Sequence, residues 1–257
     1  MFQVVEPAKG ISRRAGLILG LLGLLPATLW AASFMVNPVR VDLAAERPYA
    51  VMRITNTDDA PITLQARAYA WTGEEARGGL TPTDDIILNP PVFTVAPGST
   101  RFMRLGLRSA NRGTAELTYR LILQEVPKAA GPNDGAAIRT ILRISIPIFA
   151  VPKTPVKPRI EWSLQTSAPT KFKLVATNNG NAHVQIREIS ISPAEKTGKA
   201  KPLSAPVYVL PGKTHDWEVE AADLVGQSTV KVVAKTDVGI LEQIVGVTKP
   251  EVAKSSN

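Results

Sequence analysis

Two short patterns in this chain carry residue types used in acyl-transfer sites. Lys196-Thr197-Gly198 is a K-T-G triplet, and Ser228-Thr229-Val230-Lys231 has the S-x-x-K spacing. Their order is reversed relative to penicillin-interacting enzymes and no S-D-N lies between them. S-x-x-K also needs a helix, and here it runs into a Val-rich strand pattern. His183 and His215, the only histidines, each lie beside a turn with no second histidine or suitably spaced carboxylate to share a metal. The pairs Asp58-Asp59, Glu74-Glu75 and Asp84-Asp85 fall in polar turn segments and read as solvated carboxylates, not as a general acid and base. There is no glycine-rich phosphate loop and no G-x-S-x-G elbow. Cysteine is absent, which removes thiolate nucleophiles, disulfides and zinc–thiolate sites. The chain is expected to be no enzyme, with no cofactor and no metal. Binding chemistry is a better prospect. Arg40, in the first strand-like run VNPVRVDL, is either a solvated strand arginine or a fork that grips a carboxylate bidentately.

The elements that would position such groups are strands. Residues 137–152, AIRTILRISIPIFAVP, alternate bulky aliphatics with polar or small residues. Ile138, Leu142, Ile144, Ile146 and Ile148 share one parity, while Arg139, Ile141, Arg143 and Ser145 take the other, as in a long strand with one strongly apolar face. Left unpaired at a sheet edge, such a strand would be an aggregation hazard. It is therefore either central and buried, or kept for pairing with another polypeptide.

Strand patterns recur on both sides of this run. Residues 36–43, 50–55, 62–71, 86–88 with 92–95, 100–107 and 117–125 lead up to it, separated by Asn, Asp, Pro and Gly turns. Helical periodicity is nearly missing, which predicts an antiparallel sandwich or barrel of about seven strands. Residues 151–158, VPKTPVKP, then form a stiff, strand-incompatible connector. The pattern restarts at 159–164, 171–176, 184–191, 207–210, 215–219, 229–235 and 240–247, a second all-β domain.

The first residues carry Lys9, Arg13 and Arg14 ahead of a short apolar stretch at 17–25, Pro26 and the small residues Ala31-Ala32-Ser33. That is the composition of a secretory signal peptide, and the apolar stretch is short for a membrane span. The expected divisions are 1–32 as signal peptide, 33–152 and 153–250 as two domains, and 251–257 as a disordered tail. The formal charge is +8 over 257 residues; the leader holds a net +2 of it (Lys9, Arg13 and Arg14 against Glu6), leaving +6. Export and the scatter of Arg and Lys argue against nucleic acid and favour carboxylate-bearing partners.

In order and spacing these features resemble the PapD-like periplasmic pilus chaperones of the chaperone–usher pathway, over residues 33–247. The features are Pro38-Val39-Arg40, Ile54-Thr55-Asn56, Pro90-Pro91, Pro97-Gly98, Arg104-Leu105, Tyr119 with Glu125-Val126-Pro127, and the Ile-rich strand closing on Phe149 and Pro152. Asn178-Asn179, Pro211-Gly212 and Asp237-Val238-Gly239 continue the likeness. The resemblance implies an all-β protein of two immunoglobulin-like β-sandwich domains in a boomerang arrangement. It also implies donor-strand complementation of pilin subunits, which are then delivered to an outer-membrane usher. Ile138, Thr140, Ile141, Leu142, Ile144 and Ile146 become the donor-strand residues, with Ile138, Leu142 and Ile144 favoured for insertion. Arg40 becomes the anchor for the subunit's terminal carboxylate. The best-known members carry a lysine where this chain has Pro147, whereas the archaic-like branch, which this chain resembles, is similar in having a proline there. Arg143 is the candidate replacement, or Arg40 acts alone. Three or four buried aliphatics supply roughly 5–10 kcal/mol before ordering costs, against roughly 1.5–3 kcal/mol for one charge-assisted contact. Aliphatics should thus set affinity and Arg40 register. A free chaperone could hide its edge strand in a self-capping dimer. The alternative reading is a two-domain structural or adhesive surface protein.

Overall fold

The computed structural model describes residues 34–73, 78–127, 141–194 and 201–248. The expected signal peptide and tail, Ile138, Thr140, Glu74-Glu75 and the K-T-G triplet lie outside the described residues.

The first domain packs two sheets. One has the order β1 (Phe34–Asn37), β3 (Tyr49–Asn56), β8 (Thr100–Leu107), β6 (Ile86–Asn89). The other runs β2 (Val41–Leu43), β10 (Arg143–Ala150), β9 (Leu117–Glu125), β4 (Ile62–Trp71), β5 (Leu80–Pro82), with β7 (Val92–Val95) also on β4. Alternation drives the packing. Ile62, Leu64, Ala66 and Ala68 of β4 point inward, between Thr63, Gln65 and Arg67. They meet Met52 and Ile54 of β3 and Met103 and Leu105 of β8 across the core. The single strand expected over 36–43 is instead two strands in different sheets. Pro38 has no N–H to continue a ladder, and the chain changes sheets across Pro38, Val39 and Arg40. Arg40 therefore stands at a break, immediately before β2.

Residues 151–159 carry no strand. The second domain is one seven-stranded path, β14 (Lys201–Val209), β13 (Val184–Pro193), β16 (Thr229–Thr236), β17 (Gly239–Thr248), β11 (Ile160–Ala168), β12 (Lys171–Asn178), β15 (Thr214–Glu220). Its layers are linked by a short parallel contact of β17 with β11 at Leu164↔Val247 and Gln165↔Thr248. Trp162, Leu164, Phe172, Leu174, Ile186, Ile189, Val230 and Val232 fill the core between the layers. The S-x-x-K lysine, Lys231, lies within β16, a strand as expected.

Three buried asparagines fasten the turns. Asn178 donates from Nδ2 to Ala182 O at 2.7 Å and Val209 O at 3.0 Å, and its Oδ1 accepts from Arg159 N at 3.1 Å and Gly180 N at 3.0 Å. Asn56 and Asn111 repeat the device, each donating to two carbonyls and accepting one backbone N–H. An amide offers two donors and two acceptor sites, so one side chain satisfies backbone groups that no ladder reaches.

Candidate functional site: the β10 edge and the cationic cluster at its end

Strand β10 is antiparallel to β9 over its whole length, from Arg143↔Gln124 to Ala150↔Leu117. On its other side β2 pairs with it in parallel only at Ile148↔Val41, Phe149↔Asp42 and Ala150↔Leu43. Among the described residues no strand pairs with that side over 143–147. The ladder phase follows from two bonds. Glu125 N donates to Leu142 O at 3.0 Å, and Val151 N donates to Leu43 O at 2.8 Å. Even-numbered residues thus direct their backbone groups to β9 and odd-numbered ones to the opposite side. Pro147 is odd, so its missing N–H removes nothing from the β9 ladder, as expected where proline is tolerated in a strand.

The side chains divide by the same parity. Ile146 and Ile148 are fully buried in the domain's own core, and Leu142 and Ile144 pack partly against it. Ile146, expected among the donor-strand residues, is 1% exposed, and its side chain faces the domain's own core in this structure. Leu142 and Ile144 are intermediate, and Ile141 on the opposite parity is 45% exposed. The strand is also shorter at its start than the alternating run suggested, beginning at Arg143 within the described residues.

The odd face of β10 ends at Phe149, a fully buried ring among residues of both domains. His183 stacks on it at 3.5 Å between centroids, with planes 4° apart, while Trp71 and Tyr208 close its sides at 6.2 and 5.5 Å. Two guanidinium groups stand against this aromatic cluster. Arg40 lies 4.9 Å from the Phe149 centroid, and Arg120 lies 3.7 Å over Trp71 and 5.7 Å from Tyr208. Arg120 is the direct partner of Pro147 across the β9–β10 ladder. A cation therefore occupies the next strand, beside the β10 position where the best-known members of the resembled family are expected to carry lysine. Arg143 sits four residues up the strand, about 13 Å away at the usual rise, and is exposed.

Arg40 is already engaged. Its Nε donates to both Asp42 oxygens at 3.1 and 3.2 Å, and its NH2 group lies 3.1 Å from Asp42 Oδ1. Its NH1 group donates to Asp237 Oδ2 at 3.0 Å, across the domain boundary. Burial alone would lower the Arg40 pKa, but the hydrogen bonds and charges of Asp42 and Asp237 outweigh it and raise the pKa. Asp237 is fixed in turn by Gln185 N, which donates to its Oδ1 at 2.8 Å.

The boundary carries a second close polar pair. His183 Nδ1 lies 2.6 Å from Glu116 Oε1, both groups buried, and His183 Nε2 lies 3.7 Å from Asp237 Oδ2. Glu116 N donates to Asn181 O at 2.9 Å, and Asn181 Nδ2 to Thr114 O at 2.8 Å. The Tyr208 phenol pKa is raised, first by burial, while Arg40 and Arg120 pull it down and Asp237 and Asp42 push it up. Among the described residues no group of three or more His, Cys, Asp or Glu is arranged to hold a metal.

Sequence reasoning found Arg40 and the β10 strand but missed Arg120, Glu116 and Asp237. Arg120 alternates with inward Tyr119 and Leu121, which was enough to place it on the outer face. Nothing local in the sequence tied it to Pro147, since that relation is a register between strands.

Residues 33–155 match the family described as pili and flagellar-assembly chaperone, PapD N-terminal domain. No relative among curated sequences matches the chain. Among solved structures, the complex of chaperone CsuC with tip adhesion subunit CsuE from archaic Csu pili of Acinetobacter baumannii superposes with a TM-score of 0.60. Identity there is 22%, over 86% of this chain and 100% of that one. The Salmonella enterica SafA pilin–SafB chaperone complex gives a TM-score of 0.58 at 15% identity, covering 84% and 97%. The Pseudomonas aeruginosa CupB2 chaperone gives 0.54 at 16%, covering 83% and 100%. These likenesses share the two-sandwich fold, and among the described residues no helix is long and apolar enough to cross a membrane. The family match spans the domain that holds β10, Arg40 and Arg120, so that domain is similar to the N-terminal domain of PapD-like pilus-assembly chaperones.

Proposed function

We propose that this protein is exported to the periplasm by a cleaved signal peptide and captures pilin subunits there by donor-strand complementation, passing them to an outer-membrane usher. The observation that carries the reading is the half-covered strand β10, where β2 pairs with only three residues of a side that a partner strand could extend. Ile141, Leu142 and Ile144 enter or border the subunit groove, and Ile138 and Thr140 extend the same run. Arg40 and Arg120 form the cationic end that receives the subunit's terminal carboxylate. Arg143, well up the strand, contacts the subunit's last strand instead. In the free state the same edge is capped in a dimer.

Coexpression of a pilin subunit with the wild-type chaperone or Ile141→Asp tests the reading. The expected result is a soluble one-to-one complex with wild type and none with the variant, whose own melting temperature is unchanged. Equal recovery by both proteins would remove β10 as the donor.

A further inference from the structure

The two carboxylates on Arg40 are not equivalent. Asp237 is 12% exposed, lies in the turn between β16 and β17, and is held by Gln185 N, so it fixes one end of the guanidinium. Asp42 is 53% exposed, follows Arg40 by two residues, and takes the Nε and NH2 groups together. That is the side-on fork a free carboxylate would use. We infer that Asp42 is a resident stand-in: it occupies the Arg40 fork in the free protein and is exchanged for the partner's terminal carboxylate on binding. This inference rests on the proposed carboxylate anchor.

Exchange is feasible because the outgoing group returns to water from an exposed position, while Asp237 keeps the guanidinium in place against Phe149. Arg40 accepts a carboxylate in both states, so the net gain from docking the terminus is small. The anchor then reports where the partner chain ends and adds little affinity. The stand-in also keeps a partly buried cation matched while no partner is present. Asp42 neighbours Phe149 in the β2–β10 register, one residue in from the point where the uncovered part of the β10 edge begins.

The test uses the mature chain and a synthetic peptide copying the C-terminal strand of a pilin subunit, as free acid and as C-terminal amide. Wild type should bind the acid more tightly than the amide. Asp42→Asn should tighten the acid further, up to about fivefold, the worth of an exposed ion pair, and leave the amide unchanged. Glu46→Gln, a nearby exposed carboxylate, should alter neither. If wild type binds acid and amide equally, the carboxylate anchor itself is wrong. If acid and amide differ but Asp42→Asn leaves the acid unchanged or weaker, the stand-in is overturned and the anchor survives. Equal tightening of acid and amide by Asp42→Asn, or tightening by Glu46→Gln, would also overturn it, since that is a general charge effect.

Discussion

Ile141 and Ile146 lie on one short segment, yet they should fail in opposite ways when cut to alanine. Ile146 is 1% exposed and packed in the domain's core, so Ile146→Ala leaves a cavity and should lower unfolding free energy by about 3 kcal/mol. Ile141 is 45% exposed, and Ile141→Ala should change stability by less than about 0.5 kcal/mol. Its exposed half is what a subunit groove would cover. Fully burying an isoleucine is worth about 1.5–3 kcal/mol, so the uncovered half supplies about 1 kcal/mol, and an unfilled space in the groove raises the loss to about 2 kcal/mol. That is about 30-fold in Kd. Urea unfolding measures the first quantity and calorimetric titration of a pilin subunit the second. Ile146→Ala should keep its affinity once measured well below its unfolding midpoint. The assignment of faces on β10 fails if Ile141→Ala destabilises as much as Ile146→Ala, or if Ile141→Ala binds like wild type.

Other substitutions probe the supports of this site. A Cβ on Gly180 would collide with Lys157 O and stand 2.5 Å from Arg159 N, both backbone, so Gly180→Ala should cost about 2–3 kcal/mol in urea unfolding. Glu116→Ala strips the buried His183 imidazole of its 2.6 Å partner and should cost about 3 kcal/mol by the same measurement. Tyr119 is pushed up to about 12 by burial and by the nearby Asp85 carboxylate, which accepts its hydroxyl at 3.2 Å. An unfolded tyrosine loses its proton near pH 10, so between about pH 10 and 12 the unfolded state binds fewer protons than the folded one. Tyr119 should therefore contribute stability below pH 10 that is lost as pH climbs to 12. Tyr119→Phe should unfold with a flatter dependence on pH in that window, and equal slopes would remove the assignment.

Much of the first domain is legible residue by residue. The inward set of β4 follows from the alternation of Ile62, Leu64, Ala66 and Ala68, and the β12 turn from Asn178 and Gly180. The missing parts are relations between strands. Pro38 marks a break, but that β1 and β2 then join different sheets depends on which neighbours each finds. The parity of β10 showed an apolar face without showing where it turns, and only its place in the core between the two sheets puts Ile146 inside. Arg40 was legible as a candidate fork. Its partner Asp237 lies 197 positions away, in the second domain, where no local pattern could find it.

The central claim is that the β10 segment goes into the partner. The chain has no cysteine, so a single thiol at Ile141→Cys reacts with maleimide without background. Ile240→Cys, at a position 69% exposed in the second domain, is the control. In the purified complex with a pilin subunit, Cys at 141 should become strongly protected from modification while Cys at 240 reacts as in the free chaperone. A stable complex in which the thiol at 141 reacts at its free rate would contradict the account.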